Sequence, residues 1–162
     1  MKSSGERKRR ALQLWEEGQQ HHLRGDIDAA IRLYTKSIET LPTAEAHTFR
    51  GWAYSFQGRL EEAIAECKEA IDVDPDFGNP YNDIGSYLMK LGNADEAIPW
   101  LEQAKKARRY EPRHFPFLNL GRVYAAKGQL LRASDEFRGA LRLDPGNPLA
   151  QQALEQLVAT LN

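Results

Sequence analysis

Residues 117–145 read FLNLGRVYAAKGQLLRASDEFRGALRLDP, and this stretch decides the fold. Phe117, Leu120, Val123 and Tyr124 recur at helical spacing. Gly128 follows where that helix must stop, because a left-handed backbone costs glycine least. A second run carries Ala133, Phe137 and Ala140. Pro145 ends it, since proline biases the residue before it out of helical geometry. The spacing predicts helix–turn–helix.

The same pattern recurs upstream. Gly18, Gly51, Gly85 and Gly121 form a column with spacings of 33, 34 and 36 residues, and Gly25, Gly58, Gly92 and Gly128 follow seven residues later each time. In register lie Ala30, Ala63, Ala97 and Ala133, then Tyr34, Cys67, Leu101 and Phe137, then Ser37, Ala70, Ala104 and Ala140. Pro42, Pro75, Pro112 and Pro145 close the units. The small residues let neighbouring helices approach closely. Four units result, at 11–43, 44–77, 78–113 and 114–147.

These columns resemble the tetratricopeptide repeat, most closely at Leu120-Gly121, Tyr124, Gly128, Ala133, Phe137, Ala140 and Pro145. The resemblance implies an all-α solenoid of antiparallel helix pairs, about nine helices in a right-handed superhelix. It also implies a concave groove lined by the first helix of each pair. The first unit departs from the pattern with Glu17 and His21, and the third has Leu88 where others have tyrosine. In the third unit the proline comes eight residues after Ala104, against five elsewhere, so Lys105–Glu111 is expected to extend that helix by about one turn.

The ends read as caps. Ser3 and Glu6 form a capping-box pattern, which starts the first helix near residue 4 within a basic segment, 1–10. Leu149, Ala153, Leu154, Leu157, Val158 and Leu161 recur at helical spacing in 148–162, and this amphipathic helix is expected to cover the last repeat. Its alternative role is to be offered to another protein.

Composition narrows the function. Over 162 residues, 41% apolar and 28% charged fit a folded chain and not a disordered one. No apolar run approaches the ~20 residues of a membrane span, and no apolar stretch follows the basic first residues as in a secretory signal. A single cysteine, Cys67, leaves no intrachain disulfide, and a cytoplasmic setting is expected. Cys67 falls in a core column and reads as a small hydrophobe. His21, His22, His47 and His114 lack zinc-ligand spacing, and no glycine-rich loop ends in Gly-Lys-Ser/Thr. No catalysis, cofactor or metal is therefore expected.

Net charge is −1, but it is uneven: +4 over 1–10, −8 over 44–104 and +4 over 105–113. Lys105, Lys106, Arg108, Arg109 and Arg113 form a basic knot, a second candidate surface. Nucleic-acid binding through the knot together with Arg7, Lys8, Arg9 and Arg10 would be steeply salt-dependent, and the acidic middle argues against it.

If the repeat geometry holds, the concave face takes Trp15, Gln19 and His22, then Thr48, Trp52 and Phe56, then Asn82, Ser86 and Met89, then Phe115, Leu118 and Arg122, with Asp83 and Asn119 at its border. Large apolar groups dominate this set, as in protein interfaces. Some family members hold a chaperone's C-terminal carboxylate through paired Lys, Asn and Arg. The matching places here hold Trp15, Gln19, Phe49, Asn79 and Asp83 in one frame and Thr48, Trp52, Asp83, Phe115 and Asn119 in the next, without the cations. The expected function is a protein-interaction scaffold that captures a peptide or partner helix. Self-assembly, with one groove taking another copy's terminal helix, is the alternative.

Overall fold

The computed structural model describes residues 2–162. Met1, which opens the basic segment, lies outside them. Nine helices follow in order among the described residues: α1 Ser4–Leu23, α2 Ile27–Thr40, α3 Ala44–Phe56, α4 Leu60–Val73, α5 Asn79–Lys90, α6 Ala94–Lys106, α7 His114–Ala126, α8 Leu130–Leu143 and α9 Pro148–Leu161. Each packs against the next, and α3–α5 and α5–α7 contacts join the first helices of successive pairs. The result is a right-handed solenoid of helix pairs.

The capping box at α1 is present: Glu6 N–H donates to Ser3 Oγ at 3.1 Å and Ser3 N–H to Glu6 Oε2 at 3.0 Å. The two glycine columns do different work. Gly128 has φ 76°, and the equivalent turn glycines are also positive. Gly128→Ala should destabilise by about 1–2 kcal/mol, because an L side chain is strained in that region. A lowered midpoint in chemical denaturation would register it. Gly85, in the other column, is a contact: a Cβ there would lie 2.5 Å from Leu101 Cγ.

The core runs as linked clusters. Ile84, Tyr87, Leu88, Leu101, Leu120 and Val123 fill the centre with Ala63, Cys67 and Ala97. Leu118, Ala133, Phe137, Ala140, Ala150 and Leu157 join α7, α8 and α9. Thus α9 covers the fourth pair through Ala150, Ala153, Leu154 and Leu157, while Leu149, Val158 and Leu161 stay exposed. Asn147 caps α9 by accepting from Ala150 N–H at 2.9 Å.

The expected extension of α6 over Lys105–Glu111 is not what forms. The helix stops at Lys106, and Ala107 turns extended at φ −60°, ψ 139°. Two forces redirect the chain. Pro112 disfavours helix at the residue before it, and the α4–α5 loop offers backbone partners. Arg109 N–H donates to the Asp76 carbonyl and Gly78 N–H to the Arg109 carbonyl, both at 3.0 Å. Tyr110 then packs against Gly78, where a Cβ would lie 2.6 Å from its ring. Arg113 Nη1 donates to the Lys105 and Ala107 carbonyls at 2.9 Å, satisfying groups left open at the end of α6. The extra residues therefore make a loop that folds back over the solenoid.

Candidate functional site

The first helices α3, α5 and α7 and the α6–α7 loop enclose a groove of about 560 Å³. Helical spacing puts the lining side chains on one face of each helix. From α3 come Thr48, Phe49, Trp52, Ser55 and Phe56; from α5, Asn79, Asn82, Asp83, Ser86, Tyr87 and Lys90. From α7 come Phe115, Asn119 and Arg122, and the loop adds Tyr110 and Pro112.

One end is aromatic. Trp52 lies over His22 with ring centroids 4.0 Å apart and meets Phe49 and Phe56 edge-on at 5.8 and 5.3 Å. Phe56 is 60% exposed and Phe115 40%, so both present apolar surface to solvent. The floor is polar. Asn119 Nδ2 donates to Asn82 Oδ1 at 3.0 Å, and Arg122 Nη1 donates to Asn119 Oδ1 at 3.3 Å. Burial raises the Asp83 carboxyl to about 7, with Lys90 pulling the other way.

Several residues expected in the groove lie elsewhere. Leu118 is 2% exposed, in the core between α7 and α8. It sits about 60° around the helix from Phe115, enough to turn it from the groove. Met89 packs against the central core. Trp15 meets Phe49 edge-on at 5.3 Å, and His22 is buried with Nδ1 3.1 Å from the Tyr34 hydroxyl. Burial lowers the His22 pKa. These two α1 side chains back the aromatic wall instead of lining the groove, and half-buried Gln19 takes no part in the lining.

Sequence reading did not assign Phe49, Ser55, Asn79, Tyr87, Lys90, Tyr110 or Pro112 to the groove. Phe49 and Asn79 stand at places the family's peptide clamp uses, a signal available in the sequence. Tyr110 and Pro112 depend on the loop, which pairs with Asp76 and Gly78 of the distant α4–α5 loop, so no local signal marks them.

The basic knot is largely tied up. Lys105 Nζ lies 2.8 Å from Glu136 and 3.4 Å from Glu102. Arg109 Nη2 lies 2.6 Å from Asp74 and 3.3 Å from Glu45, and Arg113 holds backbone carbonyls. Lys106 and Arg108 are exposed without ion pairs among the described residues. The five cations do not form one free surface. Burial pushes the Cys67 thiol up, away from the thiolate a nucleophile requires. Among the described residues, no three His, Cys, Asp or Glu side chains gather as a metal site would need.

Two family models described as tetratricopeptide repeat match residues 44–77 and 82–148. The chain belongs to the tetratricopeptide repeat family. Among tetratricopeptide repeat relatives, it is 36% identical over 90 residues to small glutamine-rich tetratricopeptide repeat-containing protein 2 of Mycosarcoma maydis, over 55% of this chain and 26% of that one. The chain spans between about a tenth and a quarter of the length of the curated relatives it matches. Its fold is similar to that of the solved Pseudomonas aeruginosa pilF protein, with TM-score 0.89 and 23% identity over 95% of this chain and 70% of that one. It is also similar to YrrB, described as a tetratricopeptide repeat protein with an unusual peptide-binding site, with TM-score 0.68 and 22% identity over 93% and 77%. No helix of this tetratricopeptide repeat protein is long and apolar enough to cross a membrane among the described residues.

Proposed function

We propose that this protein is a non-enzymatic interaction module that captures an extended peptide or a partner helix in the groove between α3, α5 and α7. The observation that carries it is the combination of exposed Phe56 and Phe115 with the paired amides of Asn82 and Asn119. Aromatic anchors supply affinity, and the amides, already paired with each other, leave Asn82 Nδ2 as a donor and a second lone pair on each oxygen for a peptide main chain. Rigid stacking lowers the ordering cost on the receptor side. A cytoplasmic setting belongs to the same proposal.

Peptides selected from a displayed random library on the wild type should bind the Phe115→Ala variant more weakly by roughly 1–3 kcal/mol. Circular dichroism should be unchanged, because this side chain is substantially exposed. Equal binding to both proteins would remove the groove assignment.

A second reading is self-association, favoured by Leu131 and Leu161, 74% and 51% exposed at the end of the solenoid. Light-scattering mass across a concentration series separates the two: a dimer lost on Leu161→Ser supports self-association through α9.

A further inference from the structure

Asp83, half-buried in the groove, differs from two other half-buried carboxylates. Glu66 is held by Arg50 and His47, and Glu136 by Lys105, at side-chain exposures of 13% and 16%. Among the described residues, Asp83 accepts no hydrogen bond and has no cation within 4 Å. The groove's own cations do not reach it. Lys90 Nζ lies 5.9 Å above the Tyr87 ring, and Arg122 is engaged with Asn119. Trp52, Tyr110 and Phe115 line the same groove. A carboxylate amid aromatic rings is the setting in which a guanidinium or ammonium gains both ion pairing and cation–π attraction.

We infer that the groove selects partner segments by one lysine or arginine side chain, seated on the Asp83 carboxylate among the aromatic rings of Trp52, Tyr110 and Phe115. The inference rests on the groove being the peptide site. The −8 charge of residues 44–104 draws cations toward this part of the solenoid. Lys90 and Arg122 flank the same groove, so recognition is of one positioned cation and not of a basic tract. The partner cation replaces the stabilisation that burial removes from Asp83, so the carboxyl, at about 7 when free, falls on binding. The titratable groups around Asp83 are Tyr87 and Lys90 on α5, Cys67 on α4 and Tyr110 in the loop; Arg122 on α7 faces the same groove, and α3 gives the lining no charged side chain.

The test is selection of displayed random peptides on the wild type, Asp83→Asn, Asp83→Lys and Phe115→Ala. Wild type should enrich Lys or Arg at one fixed position beside apolar residues, and Asp83→Lys should enrich Asp or Glu there. A synthetic wild-type-selected peptide should bind Asp83→Asn about tenfold or more weakly at pH 8. Replacing its basic residue by norleucine should cost a similar factor on wild type and nothing further on Asp83→Asn. Wild-type affinity should fall about tenfold from pH 8 to pH 6, as Asp83 gains its proton, and stay level in Asp83→Asn. Carbon-13 titration of the Asp83 carboxyl reads the wild type directly: its pKa should drop with the basic peptide and not with the norleucine form.

Peptides that need Phe115 but carry no fixed basic residue overturn the cation inference and leave the groove standing. So does a basic preference that persists in Asp83→Asn. Peptides indifferent to Phe115 and Asp83 alike, or no enrichment on wild type, overturn both.

Discussion

Leu101→Ala should lower stability by about 2–5 kcal/mol, read from chemical denaturation. Leu101 is fully buried in the central cluster, on α6, against Gly85 of α5. Its branched end occupies the space a Cβ at position 85 would need. Truncation therefore leaves a cavity walled on one side by helix backbone, which cannot collapse into it as a side chain could. The same contact predicts coupling. Gly85→Ala should be destabilising in the wild type, where the new methyl meets Leu101. In the Leu101→Ala background it should cost less, because the methyl then enters the vacated space. Equal costs in both backgrounds would mean that this contact does not set the α5–α6 approach. Because α5 carries Asn82 and Asp83, the double variant also reports how firmly the groove floor is held.

Glu66→Gln should cost about 3–5 kcal/mol, since it removes the charge that compensates a buried arginine. Arg50 Nη2 donates to Glu66 Oε1 at 2.7 Å and Nε to Oε2 at 2.9 Å, while His47 Nδ1 lies 2.9 Å from Oε2. Arg50 is 17% exposed and Glu66 13%, so little water reaches the pair to replace the lost partner. Burial acts to raise the Glu66 pKa, but the hydrogen bonds from His47 and Arg50 outweigh it and hold the carboxyl below its usual 4.5. A carboxyl depressed in the folded state stabilises fully above its unfolded value. That contribution is lost as pH falls through the folded value. Wild type should therefore lose stability below about pH 4.5 more steeply than Glu66→Gln. Parallel acid profiles for the two proteins would show that this network contributes no pH-dependent stability.

The repeat was legible because its glycines and small residues answer local demands. Gly25, Gly58, Gly92 and Gly128 stand at positive φ, and Gly18, Gly51, Gly85 and Gly121 stand where a second helix leaves no room for a Cβ. Both demands recur with the unit, so they appear as columns. That Asn82, Asp83, Asn119 and Arg122 share one face of α5 and α7 follows from helical spacing once the repeat register is set. Leu118 and Met89 were misplaced because neighbouring positions on a helix differ by an angle that only the packed partner resolves.

The sequence by itself determined the helix pairs, their turns and the cap on α1. These follow from interactions within a few residues, or between adjacent helices, and every unit repeats them. The tertiary structure alone decided the shape and charge of the groove. The α6–α7 loop reaches back to the α4–α5 loop and brings Tyr110 and Pro112 into the lining. α1 lends Trp15 and His22 to an aromatic wall instead of to a binding face. The knot's cations find Glu136, Asp74 and Glu45, whereas Asp83 finds none. Each of these outcomes depends on partners some thirty or more residues away, and only folding sets which of several nearby charges and rings a side chain meets.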